Sequence, residues 1–201
     1  MTPGPELART ARREVVAGVV LLAWTAAAAV IIRRSPGLNP LDRWGFDVVG
    51  PQLHSSLYLD VSRLGGAAVL VVGALAAGAI ALRRDVVRAG ACVVSPFLAT
   101  ALVEWVLKPG VGRRYGGALT FPSGSVVVIA SVATALSLAV TGRLRWVVIA
   151  IGAVLVTLMC AAVVGLQWHY PSDALAGATF ATGIVLLVDG GAQALFRPHG
   201  S

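Results

Sequence analysis

His169-Tyr170-Pro171-Ser172-Asp173 stands where a polar loop gives way to the apolar run that ends at Val188, and Phe121-Pro122-Ser123-Gly124-Ser125 repeats the arrangement ahead of the run that ends near Val140. Each stretch carries an aromatic residue, a proline and a serine. Proline suits the first turn of a helix, whose N–H groups have no intrahelical partner, and serine, aspartate and glycine favour the same end. Both stretches are therefore predicted to start helices. A helix start presents unpaired N–H groups and the positive end of the macrodipole, which together can receive phosphate. An imidazole and a carboxylate beside two such ends point to chemistry on an anion.

The runs that flank these stretches set the class of protein. Of 201 residues 57% are hydrophobic, and the mean hydropathy is +0.84, whereas a soluble domain is nearer ~45–50% apolar even with glycine counted. Within residues 15–188, the runs 15–32, 64–82, 86–107, 122–140, 144–166 and 171–188 predict an all-α, six-span transmembrane helix bundle. Residues 1–14 and 189–201 flank it as a polar N-terminal segment and a tail. Arg9, Arg12 and Arg13 precede the first run, which is too long for the apolar part of an ordinary signal peptide and is read as an uncleaved span. A twin-arginine signal at Arg12-Arg13 is the alternative.

Between the first two spans, Leu41, Trp44 and Val48, then Leu53, Leu57, Val61 and Leu64, recur at helical spacing on either side of Pro51. Two short interfacial helices are expected there, with Trp44 and Tyr58 at headgroup level. His54 has no cluster of metal-ligand spacing around it and is read as a surface histidine.

The net charge of +7 has no basic run interleaved with exposed aromatics, so nucleic acid is excluded as a partner and the bilayer takes its place. The arginines are read as loop charges that orient the spans. With six spans both termini share a side, and that side holds Arg9, Arg12, Arg13, Arg83, Arg84, Arg88, Arg143, Arg145 and Arg197, against seven basic residues opposite. The positive-inside rule puts the termini in the cytoplasm. The richness in Ala, Val, Gly and Arg with a single lysine is that of a GC-rich bacterial genome, so the membrane is expected to be a bacterial inner membrane. Cys92 and Cys160 stand alone in apolar runs and are read as packing residues.

That topology brings Lys108, Arg113, Arg114, Ser123, His169 and Asp173 to one outer face. A phosphate ester or anhydride needs cations and N–H donors to hold its charge while a nucleophile attacks in line. Lys108, Arg113, Arg114 and the Ser123-Gly124 helix start are the candidates for holding it. A neutral His169 can attack phosphorus, and Asp173, four residues on, can accept its other ring N–H and fix the tautomer. Lys108, the one lysine of the chain, has Glu104 at i,i+4 spacing. No residues have the ligand spacing of a Zn, Mg or Ca site, so neither metal nor cofactor is expected.

In order and spacing these residues resemble the three motifs of the type 2 phosphatidic acid phosphatase family, six-span lipid phosphatases related to vanadium haloperoxidases: K-x6-R-P, P-S-G-H and S-R-x5-H-x3-D. The first is similar to Lys108 followed by Arg113 and Arg114, the second to Pro122-Ser123-Gly124-Ser125, and the third to His169-x3-Asp173. The resemblance implies a membrane phosphatase that acts at the outer leaflet on a lipid-linked phosphate or diphosphate, of polyprenyl diphosphate or phosphatidate type, through a phosphohistidine at His169. Three departures accompany it. Tyr115 stands seven residues after Lys108 where the family has arginine, Ser125 replaces the second-motif histidine, and Ala162 and Val163 replace Ser-Arg of the third motif. In the family that histidine resembles a general acid and that arginine binds phosphate. An alternative is therefore a binding or partner subunit that keeps the fold and the anion pocket without turnover. Val163 is expected near the outer end of the fifth span, where an introduced arginine would reach the interface. The resemblance leaves open a homo-oligomer or a membrane partner.

Overall fold

The helix at the centre is too short to cross a bilayer by itself. The computed structural model describes residues 5–51 and 55–196. In chain order these form α1 (Pro5–Arg34), α2 (Pro40–Val49), α3 (Ser56–Arg63), α4 (Ala67–Leu82) and α5 (Val86–Leu102). A π-helical segment (Val103–Leu107) then leads into α6 (Lys108–Val111), followed by a hairpin of β1 (Arg114–Tyr115) and β2 (Ala118–Leu119), then α7 (Gly124–Ala139), α8 (Gly142–Gly165) and α9 (Pro171–Phe196). In the hairpin Arg114 faces Leu119 and Tyr115 faces Ala118. Four stretches, Arg9–Arg34, Val86–Val111, Gly142–Gly165 and Pro171–Phe196, are long and apolar enough to span a membrane, and α3 with α4 makes a fifth if a 51° bend is allowed within one span.

Length and composition thus support four or five of the six expected spans. The remaining one, α7, has 16 residues and rises only about 24 Å, against a hydrocarbon core of ~30 Å. Its position compensates for its length. It packs against α4, α5, α8 and α9, and Val126, Val127 and Ala135 on different sides of it are wholly buried, as expected of a helix that is apolar all round. On one side Val127 and Ala130 join Val103, Phe180 and Ala181; on another Val126 and Ile129 join Met159, Val163 and Ala174.

α1 lies along α9. A Cβ at Gly18 would stand 2.8 Å from the Gly183 carbonyl oxygen, so the missing side chain is what lets the two backbones approach, the usual device where hydrocarbon surrounds both helices. Higher up, the Thr25 and Thr179 hydroxyls meet at 3.0 Å.

Both short helices expected between the first two spans are present, and on α2 the apolar stripe faces outward. On α2, Leu41, Trp44 and Val48 point away from the protein, while Asp42 and Gly45 are buried and Phe46 and Val49 pack on the α8 cluster. Leu53 and His54 fall outside the described residues.

At the end of the bundle opposite the hairpin, Asp85 caps α5 by accepting the Val87 and Arg88 N–H groups, and Gln193 donates to its other oxygen at 2.9 Å. Arg88 donates to Asp189 at 2.8 Å and lies 3.5 Å from Glu14. The boundaries expected at residues 14 and 189 fall within α1 and α9, where Glu14, Asp189 and Gln193 are buried.

Candidate active site

The stretches at residues 121–125 and 169–173 converge. The Ser123 N–H donates to the Asp173 carbonyl at 3.0 Å, and a Cβ at Gly177 would lie 2.7 Å from the Ser123 carbonyl oxygen. The starts of α7 and α9 therefore touch, backbone to backbone. Ser123 is the N-cap of α7, yet its hydroxyl makes no capping bond, is wholly buried and has no hydrogen-bond partner.

His169 lies in the loop between α8 and α9, its N–H donating to the Val163 carbonyl at 3.1 Å. The turn that delivers it contains Gln167 in the left-handed region, φ 59°, a conformation that costs a non-glycine residue about 1–2 kcal/mol. The Tyr115 hydroxyl donates to Gln167 Oε1 at 2.6 Å and steadies this turn. His169 Nδ1 lies 2.9 Å from the Thr120 carbonyl oxygen. A carbonyl only accepts, so Nδ1 carries the proton and Nε2 keeps its lone pair. Burial, and secondarily the Lys108 ammonium, disfavour the charged ring and push its pKa down to about 4, although the Thr120 bond works the other way.

The part expected of Asp173 falls to Thr120. Asp173 Oδ2 is 4.0 Å from His169 Nδ1, too far for a hydrogen bond. Its oxygens are engaged elsewhere, Oδ1 by Arg113 at 2.6 Å and Oδ2 by the Tyr170 N–H at 3.3 Å.

Arg113 is the hub of the scaffold. Its guanidinium has five N–H groups, and each meets a protein acceptor. Nε donates to Pro36 O at 3.1 Å, Nη1 to Ser172 Oγ at 2.7 Å and Asp173 Oδ1 at 2.6 Å, and Nη2 to Gly37 O at 3.0 Å and Asp42 Oδ2 at 2.6 Å. Its carbon stands 3.7 Å from the centre of the Tyr170 ring. No N–H remains for a phosphate. Arg114 is exposed and donates to the Gly117 carbonyl at 2.6 Å, within its own hairpin.

Lys108 is the cation that faces the α7 start. Its Nζ is 2.6 Å from Glu104 Oε1, and a Cβ on Gly124 would lie 2.7 Å from that oxygen and 3.5 Å from Nζ. The glycine leaves room for the pair. Ser125 packs on the start of α4, where a Cβ at Gly65 would come 2.4 Å from its own Cβ. Ala162 and Val163 are wholly buried. Val163 sits in the apolar cluster between α7 and α8, so an arginine there would enter the core and not reach the interface.

Asp42 joins the site although no catalytic motif in the sequence points to it. Besides Arg113 it accepts the Ser172 N–H at 2.9 Å, and with Asn39 it forms the capping box of α2. Asn39-Pro40-Leu41-Asp42 carries that signal in the sequence. Among the described residues, no group of three or more His, Cys, Asp or Glu side chains gathers as a metal site. The chain matches no family model, no curated protein and no solved structure.

Proposed function

We propose that this chain is an integral membrane phosphatase that takes a lipid-linked phosphate or diphosphate, of polyprenyl diphosphate or phosphatidate type. The phosphoryl group lies between Lys108 and the Ser123-Gly124 start of α7. His169 Nε2 attacks phosphorus, the bond to the leaving oxygen breaks, and water then hydrolyses the phosphohistidine. The observation that carries this reading is the His169 tautomer: its proton sits on the nitrogen bonded to Thr120, which leaves the other with a lone pair at neutral pH. In this reading Arg113 and Asp173 hold the scaffold and Lys108 supplies the charge. The chain crosses a bacterial inner membrane six times, α7 among the crossings, with cytoplasmic termini and the site on the outer face.

A phosphatase assay with purified protein on phosphatidate and on a polyprenyl diphosphate, together with acid-labile phosphate trapping on His169, tests it. Turnover lost in His169→Ala and a label on His169 are the expected results; turnover unchanged in that variant refutes the role. A second reading, a lipid-phosphate-binding or partner subunit, draws support from the saturated Arg113 and from the apolar surroundings of Val163. It predicts binding without turnover.

A further inference from the structure

Glu104 has no part in the chemistry above, yet it occupies the place that chemistry needs. Its Oε1 touches Lys108 Nζ at 2.6 Å and fills the space that a side chain on Gly124, the first residue of α7, would take, 2.7 Å from where its Cβ would stand. A carboxylate oxygen on an ammonium group beside the start of a 16-residue helix stands where a phosphate oxygen would be drawn by the same ammonium and helix dipole. The same helix end holds the buried, unpartnered Ser123 hydroxyl, so its polar groups are not satisfied by the protein alone.

The two members of the ion pair differ in freedom. The Lys108 side chain is 16% exposed and that of Glu104 45%, so the carboxylate can rotate towards the surface while the ammonium stays. Glu104 also projects from the π-helical segment Val103–Leu107, a widened turn of the kind that recurs at functional sites.

We propose that Glu104 is the resident anion of the phosphate seat, a carboxylate that holds Lys108 beside the α7 start and leaves when a phosphoryl group enters. The inference rests on reading this helix end as a phosphate seat. A phosphate brought onto Lys108 beside the Glu104 carboxylate is repelled by it, and the repulsion is relieved when the carboxylate swings away. A ligand must therefore compete with a single negative charge that is already tethered. A phosphodiester, with one charge per phosphate, gains little by the exchange. A terminal phosphate carries about −1.5 to −2 at neutral pH and does gain. Glu104 thus sets specificity: it keeps the diester headgroups of the surrounding bilayer out of the seat and admits phosphomonoesters and the terminal group of diphosphates.

The test is equilibrium binding to the purified full chain in detergent, with inorganic phosphate, a short-chain phosphatidate and a short-chain phosphatidylglycerol as ligands. Wild type is expected to prefer phosphatidate to phosphatidylglycerol. Glu104→Gln should raise affinity for phosphatidylglycerol by about tenfold or more and narrow that preference. Glu104→Asp keeps the charge one methylene short of the seat and should move affinity the same way by less, so the inference does not hang on the folding of one variant. A gain for inorganic phosphate alone keeps Glu104 as the resident anion but assigns the seat to free phosphate. Binding in wild type that is unchanged or weaker in both variants overturns the role of Glu104 and leaves the seat standing, provided Lys108→Gln abolishes it. Failure of wild type and both variants to bind any of the three ligands overturns the seat and Glu104 together.

Discussion

Asp42 and Arg113, 71 residues apart in the chain, meet at 2.6 Å with neither side chain exposed. The other oxygen of Asp42 accepts the Ser172 N–H, so one carboxylate fastens α2, the hairpin approach and the start of α9. Arg113→Met would leave Asp42 and Asp173 buried without their cation, and breaking a buried pair from one side costs about 3–5 kcal/mol. Arg113→Lys should also destabilise, because an ammonium cannot reproduce a planar set of five donors. Thermal unfolding in detergent checks both; a midpoint equal to wild type for Arg113→Met contradicts the hub.

The His169 imidazole titrates near 4 in the folded protein against 6.5 for a free one. The neutral ring is the reactive form, so the acid limb of kcat/KM should fall near pH 4. Stability follows with the sign of a depressed pKa: between pH 6.5 and 4 the unfolded chain binds the proton and the folded one does not. The contribution is therefore full above pH 6.5 and is lost as pH falls towards 4. A limb at 6.5 would mean that the ring is not buried on Thr120.

An alkoxide leaving from a monoester needs a proton, whereas the phosphate that leaves a diphosphate is already a stable anion. With Ser125 packed on Gly65 and no imidazole at that position, hydrolysis of diphosphates should outrun that of monoesters. Equal rates on phosphatidate and on a polyprenyl diphosphate of similar chain length would count against this.

Ser125→His should raise the monoester rate, by up to about 10²-fold, by supplying the missing proton donor. Val163→Arg should not help. Val163 is wholly buried among Val126, Ile129 and Met159, and a charge placed there without a partner destabilises by several kcal/mol, of order 3 or more. Expression, unfolding midpoint and turnover of the two single variants separate these outcomes.

At the far end of the bundle, Arg88→Met would strand Glu14 and Asp189 at a cost of about 3–5 kcal/mol. Because α5 separates that network from the hairpin, KM at a temperature where the variant is folded should stay at the wild-type value. A changed KM would show that the two ends communicate.

The membrane class was legible because twenty-residue apolar runs leave few alternatives, and the start of α9 was legible because Pro171 takes its first position; α7 begins two residues after Pro122, and the Ser123 hydroxyl makes no capping bond there. Hydropathy shows α7 as a run like the others, whereas its 16-residue length and its place among four neighbouring helices come from the packing. The partner of His169 was misread for a similar reason. Four-residue spacing joins side chains within a helix, but His169 precedes α9, and its acceptor is a backbone carbonyl 49 residues away, which no side-chain pattern reveals. Arg113 and Arg114 are adjacent in the sequence and the hairpin separates their fates, one buried among five acceptors and the other exposed.

The Glu104–Lys108 pair at the head of α7 has a further use at the bench. Lys108 is the single lysine of the 201-residue chain, so an amine-selective reagent has one side-chain address, and that address is this helix end. An isotopic methyl group attached there by reductive methylation keeps the positive charge and reports on the site without background from other lysines.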